Sequence, residues 1–234
     1  MLASFDATIL LALNHFARGS WAFDEFVADI LMLPSVKLLP LVACLVWLWF
    51  RHEQRDSSRF AVIQALLGGF LALVVSRLVQ DFSPDRPRPI YDEALRFVHP
   101  YGVSGDILHD WSSFPSDTTA MAFALATGVF LASRRLGWFC FAWAALVVAL
   151  PRAYLGYHYP SDLIGGALLG SLIVLACGRV RAPRRIGRAL SHTEQRWPAL
   201  FYGGGFVVLF ELTVMFDDLR EMGRGLAKVA PMLL

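Results

Sequence analysis

The chain has 234 residues, 56% of them hydrophobic and 17% charged, with a formal charge of +2 and a mean hydropathy of +0.53. A soluble domain of this size carries more charge, so an ordinary soluble enzyme is excluded and an integral membrane protein is expected. The net charge says little in total, and its distribution along the chain has to be read instead.

The chain opens with a short apolar run, Ile9–Leu13, preceded by Asp6 and by no basic stretch. That is not the pattern of a cleaved signal peptide. Leu10, Leu13, Phe16 and Ala17 recur at helical spacing and predict an interfacial amphipathic helix over about the first 18 residues. A membrane span needs roughly 20 mostly apolar residues. Six stretches approach this: Leu31–Phe50, Phe60–Gln80, Phe114–Ala132, Leu136–Leu150, Ser161–Gly178 and Ala199–Phe216. The first carries Lys37 and two prolines, and the fourth is short unless Pro151–Tyr154 extends it. The predicted fold is an all-α polytopic bundle of about six spans, one membrane domain over 1–234 with a motif-bearing core at about 60–178. Glycines at 68–69, 165–166, 170 and 203–205 are expected to let helices approach closely. Cys44, Cys140 and Cys177 lie in apolar stretches and read as buried thiols, not as a disulfide framework or metal ligands. Trp21, Trp47, Trp49, Trp111, Trp138 and Trp197 lie near span ends, as interfacial tryptophans do. The stretch Asp217–Leu234 reads as an interfacial tail.

Charge alternates between the connections. Arg51, Arg55 and Arg59 lie in the first, Arg134 and Arg135 in the third, and Arg179, Arg181, Arg184, Arg185, Arg188 and Arg196 in the fifth. The excess of arginine assigns those connections to the cytoplasm. The run 179–188 is read as a topology anchor, so no nucleic-acid partner is expected. The connections around 81–113 and 151–160 then face outward.

Those two outward connections hold the chemistry. The densest signal is Arg152-x5-His158-x3-Asp162, a cation, an imidazole and a carboxylate at fixed intervals. If the segment is helical, His158 and Asp162 share a face. The carboxylate would then fix the imidazole tautomer and leave the other ring nitrogen to attack or to move a proton. Arg152 can grip a phosphate through paired hydrogen bonds. The same side carries Arg86-Pro-Arg88-Pro89 and Phe114-Pro115-Ser116-Asp117-Thr118. Pro115 and Pro160 both suit a first helical turn, which would aim free N–H groups at an anion. Phosphoryl transfer on a lipid head group is the chemistry these groups serve.

In order and sidedness the three segments resemble the type-2 phosphatidic acid phosphatase superfamily, with its K-x6-R-P, P-S-x-H and S-R-x5-H-x3-D motifs. Within it, the wording is similar to bacterial undecaprenyl pyrophosphate phosphatases of the bacitracin-resistance type. The resemblance covers about half the chain. It implies a metal-free hydrolase of the bacterial inner membrane and cell envelope, without cofactor, whose partners are membrane lipids and a lipid phosphate or pyrophosphate. It implies His158 as the nucleophile that forms a phosphohistidine, Asp162 as its orienting group, and Arg88, Arg152 and Ser116 as phosphate-binding residues. Arg86 matches no motif position but lies close enough to assist.

The chain departs from the pattern in three places. Asp81 stands where the first motif has lysine, and Arg77 either replaces that lysine or pairs with Asp81. Pro151 replaces the serine before Arg152. Thr118 replaces the histidine that, in the family, protonates the leaving group. A lipid phosphate leaves more easily than an alkoxide, since its second pKa is about 6, so a pyrophosphate substrate tolerates that loss. Asp117, His99 or His109 could instead supply the proton. Two other readings stay open: a lipid phosphotransferase using the same intermediate, and a non-enzymatic lipid-binding or translocating protein on a decayed phosphatase fold.

Overall fold

The computed structural model describes residues 2–51, 55–103, 112–180, 182–217 and 222. Among the described residues every regular element is helical and there is no strand. His109, Trp111 and nearly all of the tail after Asp217 lie outside them. The helices are α1 (Leu2–Asn14), α2 (Trp21–Glu25), α3 (Pro34–Lys37), α4 (Leu39–Phe50), α5 (Arg55–Phe82), α6 (Asp117–Ala132), α7 (Arg134–Trp143), α8 (Leu150–Tyr154), α9 (Pro160–Cys177), α10 (Ala182–Arg196) and α11 (Pro198–Thr213). A π-turn over Phe26–Ile30 continues α2, and another over Ala144–Ala149 joins α7 to α8.

Each of the six expected spans carries a helix. Three segments, Asp56–Phe82, Arg134–Tyr154 and Pro160–Cys177, are long and apolar enough to cross a bilayer. The stretches in α1, α4, α6 and α11 are shorter apolar helices. The expected extension of Leu136–Leu150 through Tyr154 is present. Pro151 has no N–H to offer the preceding turn, and the π-turn lies just ahead of it. The expected span Leu31–Phe50 is instead split in two. Pro34 and Pro40 each sit in the first turn of their own helix, and the chain breaks between Lys37 and Leu39.

The closest packing is among α5, α6 and α9. Leu41, Leu45 and Leu48 of α4 meet Met121, Leu125 and Val129 of α6, with Cys140 of α7 in the same core. Cys44, Cys140 and Cys177 are free thiols. Outside this core the helices expose Trp47, Trp138, Leu168, Leu172 and Phe206, the apolar surface a bilayer covers.

The contact between α6 and α9 sets the site. A Cβ on Gly166 would lie 2.4 Å from the Ser116 carbonyl oxygen, and one on Gly170 would lie 1.9 Å from that of Ala120. These two glycines bring the backbones together and hold the start of α6 against the start of α9. The glycines at 203–205 do not serve packing as expected, since a Cβ there would meet nothing within 4 Å. Gly170→Ala should therefore lower the melting temperature of the detergent-solubilised protein by an amount corresponding to about 1–3 kcal/mol. Gly204→Ala should leave it unchanged or raise it. Equal effects from the two would contradict the packing.

Candidate active site

The helix α9 begins abruptly. Tyr159 is extended and Pro160 occupies the first helical turn. His158 therefore lies ahead of the helix and Asp162 inside its first turn, so the expected shared helical face does not form. Asp162 is completely buried. Its Oδ2 accepts the Tyr159 N–H at 2.8 Å, and its Oδ1 accepts from Arg86 Nη1 at 2.5 Å. Oδ2 is 3.8 Å from His158 Nδ1, beyond hydrogen-bond reach. Nδ1 lies instead 2.8 Å from the carbonyl oxygen of Ser113. A carbonyl only accepts, so Nδ1 carries the proton and Nε2 holds the lone pair. The tautomer is thus fixed by Ser113, not by Asp162 as the spacing had suggested. Asp162 acts on the ring through charge.

Arg88 contacts this histidine, and the charge of Arg152 acts on it. Arg88 Nη1 donates to the Tyr157 carbonyl at 2.7 Å and lies 3.3 Å from His158 Nε2. Arg152 is buried and donates to the Val148 carbonyl at 3.2 Å. Two buried polar atoms here have no hydrogen-bond partner among the described residues, Arg88 Nε and Ser113 Oγ. Unmet buried donors are expensive, and an anion oxygen satisfies both kinds. Burial lowers the His158 pKa below its ordinary 6.5, against the opposing pull of Asp162. Burial likewise lowers the Arg88 pKa from its ordinary value, with Asp117 and Asp162 resisting the shift.

At the start of α6, Pro115 is not in the first turn as expected. Ser116 is the N-cap and Asp117 the first helical residue. The Ser116 N–H donates to the Asp162 carbonyl at 3.2 Å, and its hydroxyl is 3.0 Å from that of Thr119. Asp117 accepts from Thr118 N–H at 2.6 Å and from Thr118 Oγ1 at 3.2 Å. Arg77 joins Asp117 at 2.5 Å across the α5–α6 contact, so its carboxylate partner lies on α6, not one turn away at Asp81.

Arg86 has partners that no motif named. Its Nη1 also donates to Ser161 Oγ at 3.0 Å, its Nη2 donates to Asp6 Oδ2 at 2.7 Å, and its guanidinium stacks 4.2 Å over the Tyr159 ring. Sequence reasoning missed Ser113 and Asp6. The first acts through a backbone oxygen, which leaves no trace in residue type, and the second belongs to no motif. Of the alternative acids, His99 holds Arg18 through its carbonyl and touches Phe97 with its ring. Among the described residues, no group of three metal-ligating side chains comes together.

Residues 81–186 match the model of the PAP2 superfamily. The chain is 31% identical over 173 residues to an Escherichia coli K12 protein named "Putative undecaprenyl-diphosphatase YbjG", covering 69% of this chain and 75% of that one. It is 29% identical to the Bacillus licheniformis "Bacitracin transport permease protein BcrC", over 64% of this chain and 66% of the relative. It is 28% identical to the Bacillus subtilis "Undecaprenyl-diphosphatase BcrC", over 57% and 62%. No solved structure matches the chain.

The Arg77–Asp117 pair gives a direct test of the α5–α6 contact. Arg77→Gln leaves the buried Asp117 carboxylate without its cation and should cost about 1–3 kcal/mol of stability. Arg77→Gln combined with Asp117→Asn should recover much of it. Melting curves in detergent check both, and a double variant no more stable than the single one would speak against the pair.

Proposed function

The chain belongs to the PAP2 superfamily, and we propose that it is a membrane phosphatase that hydrolyses an isoprenoid pyrophosphate of the undecaprenyl type through a phosphohistidine. One observation carries this reading. The unprotonated Nε2 of His158 accepts from the buried Arg88 Nη1 at 3.3 Å, beside two polar atoms that lack partners among the described residues.

The His158 Nε2 lone pair attacks the terminal phosphorus, and the bond from phosphorus to the bridging oxygen breaks. That electron pair leaves on the lipid phosphate. The Ser113 carbonyl holds the Nδ1 proton throughout, and Asp162 offsets the positive charge that grows on the ring. Arg88, Arg152 and the Ser113 hydroxyl meet the charge spread over the equatorial oxygens. Water then attacks phosphorus, the N–P bond breaks, and inorganic phosphate leaves with the imidazole restored. Ser116, whose N–H is committed to Asp162, contributes through its hydroxyl.

Thr118 cannot donate a proton to the leaving group at neutral pH. Asp117 is occupied as an acceptor by Arg77 and by two bonds from Thr118, a poor arrangement for an acid. The chain therefore depends on a substrate that leaves without help. Lipid pyrophosphate should be cleaved faster than the matching monophosphate by a margin approaching roughly 10²–10⁴-fold, and Thr118→His should narrow the gap by raising the monophosphate rate. His158→Ala should release no phosphate from either. Burial lowers the His158 pKa from its ordinary value and favours the neutral ring, so kcat/KM should fall at a more acidic pH than the titration of a free imidazole would give. Phosphate release from a panel of lipid mono- and pyrophosphates tests all of this. Equal rates would end the leaving-group argument, and label appearing on a lipid would mark a phosphotransferase.

The reaction takes place on the outer face of the bacterial inner membrane, on the side opposite the arginine-rich connections. In a cysteine-free background, Ala94→Cys should react with an impermeant thiol reagent in intact cells, while Arg135→Cys should not. The reverse pattern would invert the topology.

A further inference from the structure

The first helix places a carboxylate inside the catalytic cluster. Asp6 is 1% exposed, and both its oxygens are committed 155 residues away in sequence. Oδ1 accepts the Ser161 N–H at 2.8 Å, and Oδ2 accepts from the Ser161 hydroxyl at 2.6 Å. Oδ2 also accepts from Arg86 Nη2 at 2.7 Å. The other arm of that guanidinium, Nη1, reaches Asp162 at 2.5 Å and Ser161 Oγ at 3.0 Å. One arginine thus bridges two buried carboxylates, one at the nucleophile and one on α1.

The arrangement answers two local needs. An α-helix starts with unpaired N–H groups, and a short polar side chain at the N-cap usually accepts from one of them. The N-cap of α9 is Tyr159, whose phenol is turned away and donates to Asp92 at 2.9 Å. Asp6 supplies the missing acceptor from another helix. The second need is charge. Were Arg86 to answer to Asp162 alone, its fork would be free to engage both carboxylate oxygens, drawing Oδ2 off the Tyr159 N–H and away from the imidazole. Asp6 holds the second arm of the fork and so keeps one Asp162 oxygen on the His158 side.

We propose that Asp6 is a positioning residue of the active site, acting through Arg86 and Ser161 to fix Asp162 against His158, so that α1 forms part of the catalytic apparatus. The proposal rests on the phosphatase reading for its kinetic consequence and on the geometry alone for its structural one.

The two parts are tested together on the full-length protein. Asp6→Asn keeps the size and removes the charge. It should lower kcat on a lipid pyrophosphate by roughly tenfold or more while KM moves by less than about threefold, as expected of an interaction that serves the transition state. Combining Asp6→Asn with Arg86→Gln should be little worse than Arg86→Gln alone, because the bridge is then already broken. Backbone amide exchange over 160–163 should quicken in Asp6→Asn. An unchanged kcat, or losses that simply multiply in the double variant, would overturn the positioning role. If the unaltered protein releases phosphate from no lipid, the phosphatase reading falls and the exchange measurement still decides this one. Unaltered exchange at 160–163 would overturn it as well.

Discussion

Asp162 is a carboxylate with no access to water in a bundle made of apolar helices, and the rest of the site is arranged around that fact. A charge so placed is tolerated only when paired and hydrogen-bonded. Arg86 supplies the counter-charge and the Tyr159 N–H supplies the second hydrogen bond. The backbone carbonyl of Asp162 receives the Ser116 N–H. Three separate stretches of chain are therefore registered on one residue: the loop carrying Arg86, the start of α6 and the first turn of α9. The glycines at 166 and 170 make this possible by letting α6 and α9 approach.

From that fixed point the chemistry of His158 follows. The imidazole stands outside the helix because Pro160 opens α9 two residues later, and its Nδ1 turns to the Ser113 carbonyl. With Nδ1 committed as a donor, Nε2 carries the lone pair. Burial then favours the neutral ring, since it lowers the pKa while Asp162 opposes the shift. Arg88 completes the arrangement at 3.3 Å from Nε2. Its Nε and the Ser113 Oγ are buried without partners among the described residues.

Much of this was legible in the sequence where the determinants are local. Pro160 at the start of α9, the apolar stretches and the R-x5-H-x3-D interval are each read within one turn or one span of residues. What was not legible depends on contacts between distant segments. The two prolines of 31–50 could be counted, but a span and a broken helix look alike until Pro34 and Pro40 each open a helix of their own. Arg77 has a carboxylate four residues on in Asp81, yet its side chain crosses to Asp117 on the neighbouring helix. Ser113 contributes a carbonyl that any residue would possess. Asp6 was visible only as an acid that spoils a signal peptide, because nothing nearby in the chain records its partners.

The split between legible and hidden has a physical origin in the membrane setting. In a water-filled cleft, a misplaced carboxylate or guanidinium is solvated at small cost, so catalytic residues can be held loosely. Inside an apolar bundle each polar atom needs a partner from the protein itself. The few residues that perform chemistry therefore recruit a wider set that satisfies them, and that set is drawn from wherever the fold happens to pass. Arg86 illustrates the consequence. Its position beside Arg88 makes it look like a second phosphate ligand, and its guanidinium is shared between Asp6, Ser161 and Asp162 and stacked on Tyr159. Two arginines two residues apart thus have different partners: Arg88 lies against His158 Nε2 with its own Nε unpartnered among the described residues, and Arg86 neutralises Asp162.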